Sequence, residues 1–260
     1  MEAAADLLAR ITPDRTMDAP ASDWDALPRA NSLTMAGVTG GAGVTTLLAN
    51  VASVLSKRGE RVVVADRGPS LLPFYFGGRN FRSAPTSFVP QLGAGEGPVH
   101  LVTGPADAAS DDWLQLGMRE FRGDCDRVLI HCRGGLSAEA SRWAWEASAA
   151  IFVLTPDPAS LLRLPHALER ARSTAERQVA PVLLLNQFDP ASELHAEVRF
   201  ALSSRFAERL LPFVIRRDEA FARCLAAGGV ATELAPDSDA SQDIHALVDW
   251  LVNQHSAPEI

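Results

Sequence analysis

The sequence VTGGAGVTT at residues 38–46 decides the predicted fold of this chain. An apolar run at 32–37 precedes it and a helix-like run at 47–57 follows it, so the glycines fall between a predicted strand and a predicted helix. Glycines in such a turn allow successive backbone N–H groups to converge on an anion at the N-terminus of the helix. The strand, glycine-rich turn and helix together indicate a phosphate-binding loop, or P-loop.

This loop departs from the usual P-loop pattern, G-x-x-x-x-G-K-[ST], at two positions. Valine stands at position 38 in place of the first glycine, and Val44 stands in place of the lysine that reaches the β- and γ-phosphates. Thr45 keeps the hydroxyl that binds Mg²⁺ in this pattern. The sequence therefore predicts a site for ATP or ADP, with weakly bound Mg²⁺, formed by Gly40, Gly41, Ala42, Gly43, Val44, Thr45 and Thr46.

Apolar runs rich in Val, Ile and Leu alternate with helix-like segments from Ser32 onward. Continuous apolar strands between helices are typical of an α/β fold with a mostly parallel, twisted sheet and helices on both faces. The ligand site of such a sheet lies beyond the carboxyl ends of its strands. Strands are predicted at 33–36, 61–66, 99–103, 127–131, 150–154, 182–186 and 213–215. Helices are predicted at about 46–58, 111–121, 137–147, 158–176, 193–209, 218–227 and 241–254.

We predict one domain at 32–255, preceded by a leader at 1–31 that is flexible or binds a partner, and followed by a tail at 256–260. The leader has a short Ala/Leu run and then a polar stretch rich in Pro and Asp, unlike the rest of the chain. A chain of 260 residues with 47% hydrophobic composition can bury a full core. The segment 68–97 is long for a connection inside a domain.

The composition excludes several kinds of partner and site. A formal net charge of −8 disfavours electrostatic binding to nucleic acid or to anionic lipid. No apolar run approaches the roughly 18 residues of a transmembrane helix, so we expect no direct membrane insertion. Three cysteines without C-x-x-C spacing favour a reducing, cytoplasmic location and disfavour a disulfide framework or a zinc site. If the protein meets a membrane, we expect a partner to bring it there.

Several stretches resemble the MinD/ParA group of P-loop ATPases. The loop followed by Arg61-Val-Val-Val-Ala-Asp66 is similar to that group's K-G-G-x-G-K-T-T pattern and its next strand, which ends in D-x-D. The segments 127–137 and 151–158 resemble two later strands of the group. Leu183-Leu-Leu-Asn186 resembles the strand whose terminal Asn contacts adenine, and an Asn amide offers the donor and the acceptor that a purine edge requires. The resemblance implies that Asn186 contacts the base.

Within this group, residues 209–227 resemble the BcsQ (YhjQ) subfamily, which is encoded with bacterial cellulose synthase. The shared pattern is R-L-L-P-x-x-I-x-R-D-E-A-x-x-x-C-L-A-A. The resemblance implies an accessory protein for bacterial cellulose biosynthesis. It would act as a nucleotide-binding dimerisation scaffold that supports assembly or regulation of the inner-membrane cellulose synthase. The implied partners are a second copy of the chain and subunits of the synthase complex.

Departures from the MinD/ParA pattern predict weak catalysis, at most that of a weak ATPase. Thr39 and Val44 replace the two loop lysines, Gly68 replaces the second carboxylate of D-x-D, and His131 replaces the aspartate that supports Mg²⁺. Phosphoryl transfer depends on positioning and on charge stabilisation, so these losses should affect hydrolysis more than binding.

Two remaining side chains are candidates for roles in the site. Asp66 is the remaining candidate for catalysis and, with Thr45, for Mg²⁺, whereas Arg216 lies where it could approach phosphate or base. Two alternatives stay open: a slow active ATPase that drives recruitment cycles, and a pseudo-ATPase interaction module with an empty pocket. A partitioning ATPase is disfavoured by the acidity and the missing lysines.

Overall fold

The computed structural model describes residues 31–67, 71–77, 86–88, 97–104, 125–132, 147–174 and 181–255. The predicted leader up to residue 30, the predicted helix at 111–121, nearly all of the predicted helix at 137–147 and the predicted tail lie outside these described residues.

A seven-stranded sheet forms the centre of the described structure, in the order β3-β4-β2-β5-β1-β6-β7. Every pair of neighbouring strands is parallel except β3 and β4, which are antiparallel. The prediction of a mostly parallel sheet is confirmed, although the sequence did not predict the short β3. The strands are β1 (Ser32–Gly37), β2 (Val62–Arg67), β3 (Thr86–Phe88), β4 (Val99–Gly104), β5 (Arg127–Cys132), β6 (Ala149–Leu154) and β7 (Val182–Leu185).

The central strands are buried on both faces because their apolar side chains alternate between two cores. In β1, Leu33 and Met35 belong to one hydrophobic cluster, whereas Ala36 belongs to a second cluster on the other face. In β6, Ile151 and Phe152 divide in the same way. Successive side chains of a strand point to opposite faces. Helices must therefore cover both faces, which explains the alternating order of strands and helices in the sequence.

Two pairs of longer helices cover the sheet. Helices α1 and α7 contribute their apolar residues to the first cluster, and α3 and α4 contribute theirs to the second. No helix in the described ranges is long and apolar enough to cross a membrane. The helices are α1 (Val44–Lys57), α2 (Leu72–Tyr75), α3 (Pro158–Thr174), α4 (Glu193–Phe206), α5 (Glu219–Ala226), α6 (Ala231–Leu234) and α7 (Asp239–His255).

The predicted strand at 213–215 is wrong, because this segment does not form a regular strand. The chain at 209–217 follows the free edge of β7 in the parallel direction and makes backbone hydrogen bonds with it, including Leu211 N to Leu183 O at 2.9 Å and Ile215 N to Leu185 O at 2.8 Å. Only isolated bridges form, because Leu211 and Ile215 are four residues apart whereas Leu183 and Leu185 are two apart, so extra residues interrupt a continuous ladder. The segment therefore lies beside β7 where an edge strand would lie, but it does not form a regular ladder with β7.

Candidate phosphate-binding site

The glycine-rich loop connects β1 to α1 at the carboxyl edge of the sheet, as predicted. Gly41 and Gly43 have φ values of 77° and 86°, which glycine adopts without steric cost. Gly43 is the N-cap of α1 and, as a glycine, makes no side-chain cap bond to the first N–H groups of that helix. No acidic residue lies in its first turn. This helix N-terminus therefore keeps the partial positive charge and the open donors that bind an anion.

Two side-chain amides hold the outside of the loop. The Nδ2 atom of Asn186 donates to the carbonyl of Ala42 at 2.7 Å, and the Nε2 atom of Gln187 donates to the carbonyl of Gly41 at 2.8 Å. A Cβ atom on Gly43 would lie 2.4 Å from Asn186 Nδ2, so only glycine fits beside this amide. The structure thus brings Asn186 to the predicted site but gives it a loop contact that the sequence did not indicate.

The three residues that begin α1 differ in what they can offer to a ligand. Val44, at the position of the lysine, is 6% exposed and packs into the first hydrophobic cluster. Thr45 is half-buried and stays a candidate Mg²⁺ ligand. The hydroxyl of Thr46 lies 2.8 Å from that of Tyr75, whose pKa is raised by burial. Thr46 is thereby linked to α2.

Beside the loop, the ends of strands β2 and β5 form a second part of the candidate site, with an acidic side chain on one strand and an imidazole on the other. Asp66 of β2 is in register with His131 of β5, and Asp66 Oδ1 lies 3.0 Å from His131 Nδ1. The Asp66 carboxylate is fully buried. Mg²⁺ requires near-octahedral oxygen coordination, and an imidazole beside the carboxylate does not supply it. Among the described residues, no group of three His, Cys, Asp or Glu side chains could hold a metal ion. The geometry therefore does not favour the predicted Mg²⁺ role of Asp66.

Thr39, at the position of the first loop lysine, joins a cluster of hydroxyl groups that the sequence did not predict. Its hydroxyl lies 3.4 Å from that of Thr155 and 3.3 Å from that of Ser160. Asp157 precedes α3, accepts a bond from Ser160 N at 3.0 Å and accepts another from the Thr155 hydroxyl. Burial alone would raise the pKa of Asp157, but these hydrogen bonds hold that pKa below its ordinary value. Thr39 is thus tied to the start of α3.

Arg216, predicted to approach phosphate or base, is occupied by two carboxylates at the start of α7. Its guanidinium lies 2.8 Å from oxygens of Asp239 and of Asp243, and its backbone N–H donates to Asp243 at 2.8 Å. The hydrogen bond with Asp243 is the main cause that raises the pKa of Arg216. The structure therefore gives this arginine a role in fixing the 209–217 segment, and it does not favour contact with a ligand.

Residues 30–84 and 92–252 match the family model described as "Cellulose biosynthesis protein BcsQ". The chain belongs to the BcsQ family. It is 26% identical over 255 residues to the cellulose biosynthesis protein BcsQ of Escherichia coli K12, with 86% of this chain and 95% of that protein covered. The predicted family is therefore confirmed.

Solved structures of ParA and MinD proteins share the fold of this BcsQ-family chain. The septum site-determining protein MinD of Pyrococcus horikoshii, complexed with Mg-ADP, has a TM-score of 0.66 and 18% identity, with 87% of this chain and 97% of that chain covered. The cobyrinic acid a,c-diamide synthase of Mycobacterium smegmatis, with a bound ATP analogue and magnesium, has a TM-score of 0.68 and 17% identity, with 88% and 96% covered. At these identities the likeness shows the fold.

In this BcsQ-family chain the two ends of the site can do different chemistry. The loop end presents backbone N–H donors at a helix N-terminus, which suit a phosphate group. The β2/β5 end presents a buried Asp66–His131 pair, and the lysine position is filled by the apolar Val44. The arrangement can hold an anion, but the described residues of the loop and of the β2/β5 end do not supply the cationic groups that stabilise a phosphoryl group in transfer.

Proposed function

We propose that this BcsQ-family protein is an accessory protein of bacterial cellulose biosynthesis that binds ATP or ADP through residues 40–46 and hydrolyses it slowly at most. One observation carries the proposal: the loop keeps its left-handed glycines and uncapped helix N-terminus, whereas the acidic end of the site is a buried carboxylate–imidazole pair. The cellulose role is taken from the name of the family and of its relatives.

Binding and hydrolysis have different requirements, which is why they can separate in one protein. Backbone amides at a helix N-terminus supply most of what a bound phosphate needs. Hydrolysis needs further cationic contacts, each worth about 10³–10⁵ in rate. Val44 stands in place of a lysine of that kind, and His131 stands in place of the aspartate that supports Mg²⁺. Binding should therefore be preserved far better than turnover, and phosphate release should fall well below the ordinary ~1–10³ s⁻¹ range of enzymes.

We further propose that nucleotide binding favours a homodimer that acts as a scaffold for cellulose synthase subunits. The carboxyl edge of the sheet carries the loop and the short helix α2, where Leu71 is 43% exposed. Phe74 is half-buried, whereas Tyr75 is buried and linked to Thr46, so Tyr75 is not a dimer contact. Leu71 and Phe74 are the candidate apolar contacts of an isologous face. The protein would be cytoplasmic and reach the inner membrane through these partners.

Calorimetry and thermal unfolding with ATP and Mg²⁺ test the nucleotide site. Gly40 is exposed, and a Cβ atom there meets nothing within 4 Å, so Gly40→Asp places a carboxylate on the loop without a clash. Gly40→Asn is the matched neutral control. At fifty times the dissociation constant, ATP should stabilise the wild type by about 2.3 kcal/mol. Gly40→Asp should lose most of this gain and Gly40→Asn should keep most of it.

Analysis of the nucleotide after incubation separates the proposed scaffold from its alternatives. Bound ATP that stays intact supports the scaffold. Phosphate release at about 1 s⁻¹ or faster without a partner supports an active ATPase. No binding at millimolar ATP leaves the interaction module with an empty pocket.

Light scattering tests the dimer. A wild type that stays monomeric with ATP at high micromolar protein contradicts the dimer, whereas a dimer that Leu71→Asp dissociates supports it.

A further inference from the structure

Gln187 has a backbone conformation that its residue type does not favour. It follows Asn186 just beyond the end of β7 and has a φ of 60°, and among the described residues it is the one non-glycine residue with positive φ. A side chain with a Cβ atom pays free energy for this left-handed conformation, and such strain persists where the surroundings require it. The requirement at Gln187 is visible in its side chain, which reaches the carbonyl of Gly41 at 2.8 Å.

Two consecutive amides therefore hold two consecutive carbonyls of the loop. Gln187 binds Gly41 O, and Asn186 binds Ala42 O at 2.7 Å. The Asn186 Oδ1 atom also accepts the backbone N–H of Gln187 at 2.9 Å, which fixes the orientation of the Asn186 amide. We call Asn186 and Gln187 the amide clamp.

The clamp determines where the neighbouring N–H groups of the loop point. The described peptide bonds are trans, and in a trans peptide the C=O and N–H bonds point in opposite directions. The peptide whose carbonyl Gln187 holds carries the N–H of Ala42, and the peptide that Asn186 holds carries the N–H of Gly43. Both N–H groups consequently point away from the clamp. They are the donors that a phosphate group would use.

We propose that Gln187, acting with Asn186, presets the glycine-rich loop for a polyphosphate and is therefore a positioning residue of this site. The proposal rests on the proposed function, in which the loop binds nucleotide phosphates. A loop of consecutive glycines has the largest conformational entropy to lose on binding. Holding its carbonyls in advance lowers that cost, which is the general effect of preorganisation on affinity.

Four substitutions at position 187 separate positioning from stability. Gln187→Glu keeps the length but replaces the donor by a carboxylate, and Gln187→Asn keeps a neutral amide and tolerates positive φ but is one methylene too short. Gln187→Gly removes the side chain and relieves the strained φ. Gln187→Lys keeps a hydrogen-bond donor that can reach the carbonyl of Gly41. Each full-length variant is titrated by calorimetry with ATP plus Mg²⁺ and with inorganic tripolyphosphate, and its melting temperature is measured without ligand.

The Glu, Asn and Gly variants should bind both ligands more weakly by roughly three- to tenfold, the effect of one net hydrogen bond. Their melting temperatures without ligand should equal that of the wild type, or exceed it for Gln187→Gly because strain is relieved. Gln187→Lys should bind within about twofold of the wild type, as a retained donor requires. Glu and Asn variants that bind within about twofold of the wild type would overturn the proposal.

Amide hydrogen exchange of residues 40–46 in the ligand-free protein tests the clamp separately from the proposed function. Faster exchange of this segment in Gln187→Asn than in the wild type supports the clamp, and equal exchange overturns it. If the wild type binds neither ATP nor tripolyphosphate, the proposed function fails, and the exchange result still decides whether Gln187 orders the loop.

Discussion

The two ends of the candidate site differ in whether backbone groups or side chains form them. At the loop end, backbone groups of residues 40–44 form the site, and the amide clamp holds them from outside. At the β2/β5 end, the side chains of Asp66 and His131 form the site, and they pair with each other. The backbone geometry of the loop depends on a few glycines and can be kept when many other residues are substituted. Catalysis by charged groups, in contrast, is lost when a single charged side chain is replaced. This difference explains why binding and hydrolysis can separate in this fold.

The largest expected effect comes from restoring an acidic residue at the β2/β5 end. His131→Asp would place two buried carboxylates about as close as the present pair, and like charges at that distance destabilise each other. We expect a loss of about 3 kcal/mol in the free energy of unfolding in EDTA at pH 8. Millimolar Mg²⁺ should recover much of this loss, because the ion would bridge two oxygen ligands.

His131→Asn is the matched control, since it removes the imidazole without adding a charge. Its stability should be unaffected by Mg²⁺, like that of the wild type. Equal stability of His131→Asp with and without Mg²⁺ would mean that this end of the site has no cation-binding geometry left.

The next effect is a disruption of the loop end. Gly43→Ala should destabilise the protein by about 2 kcal/mol, because alanine is strained at a φ of 86° and its Cβ atom would overlap the Asn186 amide. It should also abolish the stabilisation by ATP. Gly40→Ala should change stability little, since a Cβ atom there meets nothing within 4 Å. Denaturant titration with and without ATP measures both effects, and a Gly43→Ala protein with an unchanged response to ATP would contradict the clamped loop.

Substitution of Val44, the first residue of α1, should give a comparable loss of stability with a different response to ligand. Val44→Lys and Val44→Ala should each cost about 2 kcal/mol without nucleotide, the first by burying an amine and the second by leaving a cavity. ATP should then stabilise the lysine variant more than the alanine variant, because only the lysine can contact phosphate. A similar response of the two variants to ATP would show that the loop does not direct position 44 to the ligand.

The smallest effect concerns Asp157 and its dependence on pH. The pKa of Asp157 in the folded protein is below its ordinary value, so its contribution to stability is present above the unfolded pKa and is lost as pH falls through the folded pKa. Asp157→Ala should cost about 1 kcal/mol at pH 7, as the loss of a helix cap does. Asp157→Asn should retain most of the cap but show a flatter decline in stability below pH 4. An unchanged acid profile in Asp157→Asn would assign the decline to other carboxylates.

The parts of this molecule that local sequence determines could be predicted. The glycines of the loop, the apolar β1 and the following helix are adjacent in the chain, and each requires its own conformation. The contacts that complete the site join distant residues: Gln187 and Gly41 are 146 positions apart, and Thr39 and Ser160 are 121 apart. No spacing rule identifies such partners, because the sheet order brings them together. The ion pairs of Arg216 were not predicted for the same reason, since its carboxylate partners lie on a later helix.

The segment at 209–217, which follows β7 without forming a regular strand, also limits how this protein can associate. An uncovered edge strand is a template on which a strand of another chain can add, and many proteins guard such edges. Here the backbone groups of Leu183 and Leu185 are already bonded to residues 209–215. A partner strand therefore cannot pair directly with these groups of β7, and a second subunit that docks at this edge would contact residues 209–217 instead.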